Sequence, residues 1–237
     1  MKIILSLAVL TALVALEQRT TCHAAGEDGV ALAIIYDTSG SMHDAVRDNT
    51  GRSSPKYVIA NRALAAVAKQ IQAYAGSTAG PAPRKVEAGL FVFSGDGARE
   101  AVKFGPFDAA ALEQFARKFS TPSGNTPLGN ALTVATRKVL SSPLSRKHVL
   151  IITDGMNTAG PTPAAVMPKL KQQAEEKQTS VSVHFVAFDV DAKVFDSVKK
   201  LGATVVGASD EKQLNAQLEY ILQRKILLEE EEPVKQK

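Results

Sequence analysis

The chain has 237 residues, of which 45% are hydrophobic, 22% charged and 5% aromatic, with a net charge of +4. That balance suits one folded domain with a continuous core and excludes a disordered or collagen-like chain. A single cysteine excludes an internal disulfide framework and a cysteine-based zinc site, the absence of tryptophan excludes recognition through a Trp face, and so small a basic surplus argues against nucleic acid.

Lys2 is followed by the mostly apolar run Ile3 to Leu16 and the polar stretch Glu17 to His23, with small residues at Cys22 and Ala24. This three-part pattern is that of a secretory signal. The apolar run is shorter than the ~20 residues a membrane span needs, so residues 1–24 are expected to leave by cleavage after Ala24 or Ala25, taking Cys22 with them. Retention, or a lipid on Cys22, is the weaker reading, because Arg19-Thr20-Thr21 lacks the residues expected before a lipidated cysteine. A secreted or periplasmic domain over 25–228 follows, and the charged tail Glu229 to Lys237 is expected to fray. Setting leader and tail aside raises the domain's balance to +5, which suits an acidic partner surface.

Val30 to Tyr36 is nearly all apolar, as in a strand covered on both faces. Ser54-Pro55 predicts a helix start, an N-cap followed by proline, with Tyr57, Leu64, Val67, Ile71 and Tyr74 on one stripe. Gly76 to Pro83 is a loop by composition. Val86 to Ser94 and Glu100 to Phe107 predict a hairpin at a sheet edge around Gly95-Asp96-Gly97. Asp108 to Phe119 and Pro127 to about Leu140 predict helices, and Lys147 to Thr153 a buried strand. Thr162-Pro163 opens a helix to about Lys177 that Pro168 is expected to kink or restart. Val181 to Val190 predicts a strand, Asp191 to Leu201 a helix, and Ala203 to Ala208 a strand. Asp210 with Gln213 reads as a capping box on a last helix. The alternation predicts an α/β fold: a doubly wound, mostly parallel central sheet with one antiparallel edge strand and helices on both faces. Its ligand site belongs outside the carboxyl ends of the strands, where strand order reverses.

Three segments are expected to meet at that end. Asp37-Thr38-Ser39-Gly40-Ser41 follows the first strand, Thr126 opens the helix before the Lys147–Thr153 strand, and Asp154 ends that strand. Two carboxylates and three hydroxyls suit a hard divalent cation, Mg2+ first, with Mn2+ or Ca2+ as alternatives. If neutral hydroxyls dominate its ligation, the ion keeps much of its charge, and a carboxylate from a partner protein is the natural ligand for an open position. His43 and Asp96 lie close enough in the sequence pattern to be candidates for touching a partner. His148 and His184 fall on strands and read as core residues.

These residues resemble the von Willebrand factor type A domain with its metal-ion-dependent adhesion site, over about Val30 to Leu228. The family's D-x-S-x-S stands as Asp37, Ser39 and Ser41, its loop threonine as Thr126, and its second aspartate as Asp154. The resemblance implies that Ser39, Ser41 and Thr126 bind the metal directly while Asp37 and Asp154 act mainly through bound waters. It implies a non-catalytic module that grips an acidic residue of a partner, or an accessory factor docking on an enzyme or motor complex. A phosphoryl-transfer hydrolase using Asp37 is the remaining class, but such enzymes need a second carboxylate two residues on, where this chain has Ser39.

Overall fold

The computed structural model describes residues 26–77 and 84–228. The leader, most of the Gly76–Pro83 loop and the charged tail lie outside them. In chain order the strands are β1 (Glu27–Tyr36), β2 (Ala45–Arg47), β3 (Ser53–Pro55), β4 (Val86–Ser94), β5 (Gly97–Pro106), β6 (Leu144–Thr153), β7 (Ser182–Phe188) and β8 (Thr204–Ala208). The helices are α1 (Lys56–Ala75), α2 (Ala109–Lys118), α3 (Leu128–Val139), α4 (Pro163–Glu176), α5 (Asp196–Lys200) and α6 (Glu211–Ile221), the last continued by a π-helical turn over Leu222–Leu227.

Six strands form one sheet in the order β5-β4-β1-β6-β7-β8, parallel throughout except that β5 runs antiparallel to β4. This is the doubly wound sheet with one antiparallel edge that the pattern predicts. From β1 the chain builds outward first through β4 and then, in the other direction, through β6, so the switch point lies between β1 and β6. Every residue of β1 from Val30 to Tyr36 is fully buried, which explains why it reads as an unbroken apolar run rather than an alternating one. Period two divides that run. Val30, Leu32, Ile34 and Tyr36 pack in the cluster that includes residues of α1, α2 and α6, while Ala31, Ala33 and Ile35 join the opposite one with α3, α4 and Val198 of α5.

Four expectations are corrected. Ser54-Pro55 does not start α1: Ser53–Pro55 pairs antiparallel with Ala45–Arg47 as a small hairpin, and the helix begins at Lys56. The Ser54 hydroxyl donates to the Asp48 carboxylate instead of capping a helix, and Asp48, which also accepts from Thr50 and Arg52, organises the hairpin loop. Pro127 is the residue before α3 rather than its first turn, with Leu128 first. The Asp191–Leu201 segment divides into a 3-10 turn over Ala192–Phe195, capped by Asp191, and the short α5. Pro168 lies inside an uninterrupted α4; its missing N–H removes a single helical bond, and Thr162 supports the start by accepting from the Ala165 N–H.

The starts of α2 and α6 follow the sequence closely. Asp108 caps α2 through the Ala111 N–H. Asp210 accepts from the Gln213 N–H, and Gln213 reaches back to the Ser209 N–H, one residue earlier than the standard box. His148 and His184 are buried on neighbouring strands with Nδ1 and Nε2 3.3 Å apart. Burial pushes their pKa values down to about 3 and about 4, so they are neutral core residues near neutral pH.

Gly129, in the first turn of α3, marks where that helix meets the segment leading into α4: a Cβ there would sit 2.0 Å from the Pro161 carbonyl oxygen. Gly129→Ala gains about 1 kcal/mol of helix propensity but must displace backbone. A net loss of about 1–3 kcal/mol is expected, checked by urea unfolding; unchanged or raised stability would contradict this packing.

Candidate metal centre

The carboxyl ends of β1 and β6 lie side by side, with Tyr36 opposite Ile152, and the Asp37 N–H extends the ladder by donating to the Ile152 carbonyl at 3.0 Å. This pairing brings Asp37 and Asp154 into the same small volume although 116 residues separate Asp37 from its next partner, Thr153. Asp37 is fully buried. Its Oδ1 accepts from the Ser39 N–H at 2.8 Å and the Ser39 hydroxyl at 2.5 Å, and its Oδ2 from the Thr153 hydroxyl at 2.6 Å.

From Asp37 the hydrogen bonds run on without a break. The Ser39 and Ser41 hydroxyl oxygens are 3.1 Å apart, and Ser41 Oγ donates to Asp154 Oδ1 at 2.8 Å. Asp154 Oδ2 accepts from Lys56 Nζ at 3.1 Å. Gly40 to His43 form one 3-10 turn, which swings Ser41 back over the end of β6.

The Thr126 loop is docked through the backbone. Ser123 N–H donates to the Thr38 carbonyl at 2.8 Å, and Gly40 N–H to the Gly124 carbonyl at 3.2 Å. Gly124 has φ of +82°, a conformation for which glycine is the natural residue. Thr126 is buried, and its N–H and carbonyl exchange bonds with Thr158 at 2.8 and 3.0 Å. The structure thus joins Asp37, Ser39, Ser41 and Asp154 through side chains and seats Thr126 in the adjoining loop. His43 and Asp96 stand outside this chain of bonds. Both are exposed; the His43 ring packs edge-on against Tyr57 at 5.6 Å, and the Asp96 carbonyl accepts from Asn130.

Sequence reasoning missed the groups that balance the charge. Lys56 is buried at the first position of α1 and faces Asp154 and Asp189 at 3.1 Å each and Asp44 at 3.8 Å. Burial opposes its charge, but the hydrogen bonds and charges of Asp154 and Asp189 outweigh it and raise its pKa. A usable signal existed: a lysine at a helix N-terminus opposes the macrodipole. Asp189 carried another, as an acid inside the apolar run expected as a strand over Val181 to Val190, which the structure ends at Phe188.

Among the described residues, no three His, Cys, Asp or Glu side chains form a metal cage. The donors here are chiefly hydroxyls beside two carboxylates, an oxygen set that fits a hard divalent cation. A groove of about 740 Å3 lined by Val102, Phe104, Phe115 and Phe119 runs along the sheet edge and includes none of the five residues.

The von Willebrand factor type A domain family matches residues 31–221. This chain belongs to that family. No curated protein matches the chain in sequence. Several solved structures share its fold. The PilB minor pilin from Streptococcus sanguinis superposes with a TM-score of 0.58 at 15% identity, covering 82% of this chain and 61% of the pilin. Proximal thread matrix protein 1 from the mussel byssus, in a form whose MIDAS motif holds zinc, gives 0.59 at 15%, covering 83% and 48%. The SpRpn10 VWA domain gives 0.54 at 10%, covering 79% and 92%. The chain therefore spans about three-fifths of the pilin and about half of the mussel protein. Von Willebrand factor type A domains commonly serve protein–protein interaction, and no helix among the described residues is long and apolar enough to cross a membrane.

Burial, and secondarily the charge of Asp154, raise the Asp37 pKa from an ordinary 3.8 to about 6, against hydrogen bonds from Ser39 and Thr153 that lower it. Between about pH 4 and 6 the metal-free folded chain thus binds more protons here than the unfolded chain, and this part of its stability is lost as pH rises through 6. A divalent ion taken up beside Asp37 would require its carboxylate form and release the proton, so any such affinity is expected to be about tenfold weaker at pH 5 than at pH 7.5. Thermal unfolding with Mg2+ and with chelator checks this: the rise in Tm on adding Mg2+ should be larger at pH 7.5. Equal rises at both pH values would contradict it.

Proposed function

We propose that this domain is an exported, non-catalytic binding module that engages an acidic residue of a partner protein through a divalent cation. Ser39, Ser41 and Thr126 would hold the ion directly, and Asp37 and Asp154 would hold it mainly through water. Mg2+ is the first candidate, with Mn2+ or Ca2+ as alternatives. The observation that carries the reading is the convergence of Asp37 and Asp154 at the switch point, linked by the Ser39 and Ser41 hydroxyls. The mussel protein of the same fold, with zinc in its MIDAS motif, is a precedent for a divalent cation in such a domain.

When bound, the ion would supply a positively charged position open to an anionic oxygen. The chain's own residues do the rest. Thr153 and the Ser39 N–H orient Asp37, Ser41 orients Asp154, and the Gly40–Gly124 bond keeps the Thr126 loop against the first. A hydrolase reading fits these residues less well. Both Asp37 oxygens are engaged in a fully buried position, and the residue two places on is Ser39. The apolar run Ile3 to Leu16 after Lys2 supports export, with 25–228 as the working domain. An accessory role on an enzyme or motor complex would use the same contact with a different partner.

A binding screen against short peptides centred on Asp or Glu, each matched by its Asn or Gln counterpart, tests this reading. Acidic peptides are expected to bind in Mg2+, the amide counterparts to bind at least tenfold more weakly, and chelation or Asp37→Ala to abolish the difference. Acidic-peptide binding unchanged by chelator and by Asp37→Ala would refute the metal-mediated contact.

A further inference from the structure

Lys56 is in the wrong place for the helix it begins. α1 has no side-chain cap, no acid in its first turn, and a buried ammonium at its positively polarised end. Local rules are broken in this way where a residue serves a site rather than its own element. The lysine's stem runs into the space beside Asp154, and its ammonium is shared among Asp154, Asp189 and the more exposed Asp44. Asp189 is held there by a backbone φ of 54° and by its N–H donating to the Ala208 carbonyl at the end of β8. The two oxygens of Asp154 are thereby divided: Oδ1 accepts from Ser41 and Oδ2 from the lysine.

We infer that Lys56 is a built-in counter-cation of the site: it holds Asp154 and the surrounding acids together in the metal-free protein and competes with the incoming divalent ion for Asp154. The inference rests on the metal reading above and adds what sets the site's affinity. Two positive centres sharing one carboxylate repel each other in a partly buried setting where screening is weak. Without Lys56 the acids would be left uncompensated in the metal-free chain, and the divalent ion would be their main source of positive charge. The lysine thus keeps the site folded without metal at the expense of tight binding, and favours a contact that forms and releases with the ion. Asp189 has the opposite effect. By drawing the ammonium toward β7, it frees Asp154 for the metal.

Calorimetric titration of the metal-stripped full chain with Mn2+, together with thermal unfolding in chelator, tests this. Lys56→Met should bind Mn2+ at least tenfold more tightly than the wild type and unfold several degrees lower in chelator. Asp189→Asn, which suits the same left-handed backbone, should bind several-fold more weakly, and that weakening should disappear in the Lys56→Met background. A Lys56→Met chain that folds only when Mn2+ is added supports the inference. If it folds in neither condition, Asp189→Asn decides: weaker binding supports the inference, and unchanged or tighter binding overturns it. Wild-type binding that is lost in Asp37→Ala, with Lys56→Met no tighter or with Asp189→Asn equally weak in both backgrounds, overturns the role of Lys56 and leaves the metal reading standing. Binding by Lys56→Met but not by the wild type supports the counter-cation and removes the metal from the native chain. No binding by any variant sinks both.

Discussion

Two carboxylates forced together out of water are the constraint around which the rest of the structure is arranged. Asp37 and Asp154 follow strands that are immediate neighbours in register, so their proximity is fixed by the sheet itself. Like charges this close, one of them fully buried, are costly unless dipoles, counter-charge or a proton compensate them. All three kinds of compensation are visible. The Ser39, Ser41 and Thr153 hydroxyls point at the acids, Lys56 sits against Asp154, and Asp37 holds its proton to about pH 6.

The surroundings keep this arrangement in register. Lys56 must be delivered at a set depth, and the β2–β3 hairpin does so by leading straight into α1, with the Lys56 N–H donating to the Asp44 carbonyl. The hairpin is anchored in turn by Glu211, at the first position of α6. That buried carboxylate accepts from the Asn49 N–H at 2.8 Å and from Arg62 of α1 through two bonds of 2.7 and 2.8 Å. The Arg62 guanidinium holds the Glu211 pKa below its usual range, which favours the charged pair. Hairpin, α1 and α6 therefore form one frame beside the site, tied by a paired ion contact of the kind that is geometrically specific.

Much of the fold could be read from the sequence because its signals are local. β1 and β6 are apolar runs, the Gly95-Asp96-Gly97 turn marks the edge hairpin, and Asp108, Thr162 and Asp210 cap the helices expected of them. The meeting of Asp37, Ser39, Ser41 and Asp154, with Thr126 in the adjoining loop, was equally legible, since each lies close to an element whose place in a doubly wound sheet is predictable. What could not be read depends on long-range pairing. Ser53–Pro55 has strand geometry only because Ala45–Arg47 lies opposite. Lys56 has meaning only beside acids that lie 98 and 133 positions later in the chain. The Asp191–Leu201 segment splits because Asp191 caps a tight turn before α5 begins, a choice that helical periodicity does not reveal.

The fold, the family and the meeting of the acids leave one central question, which is whether a divalent ion rests beside the two serines. The most direct measurement is an anomalous difference map from crystals of the full chain soaked in Mn2+. A single strong peak is expected within about 2.0–2.5 Å of the Ser39 and Ser41 hydroxyl oxygens, with the Thr126 hydroxyl in the same shell and the two aspartates at the longer distances of water-mediated contact. A peak at another place on the molecule, or none beside Ser39 and Ser41 in crystals that hold Mn2+ elsewhere, would contradict the account.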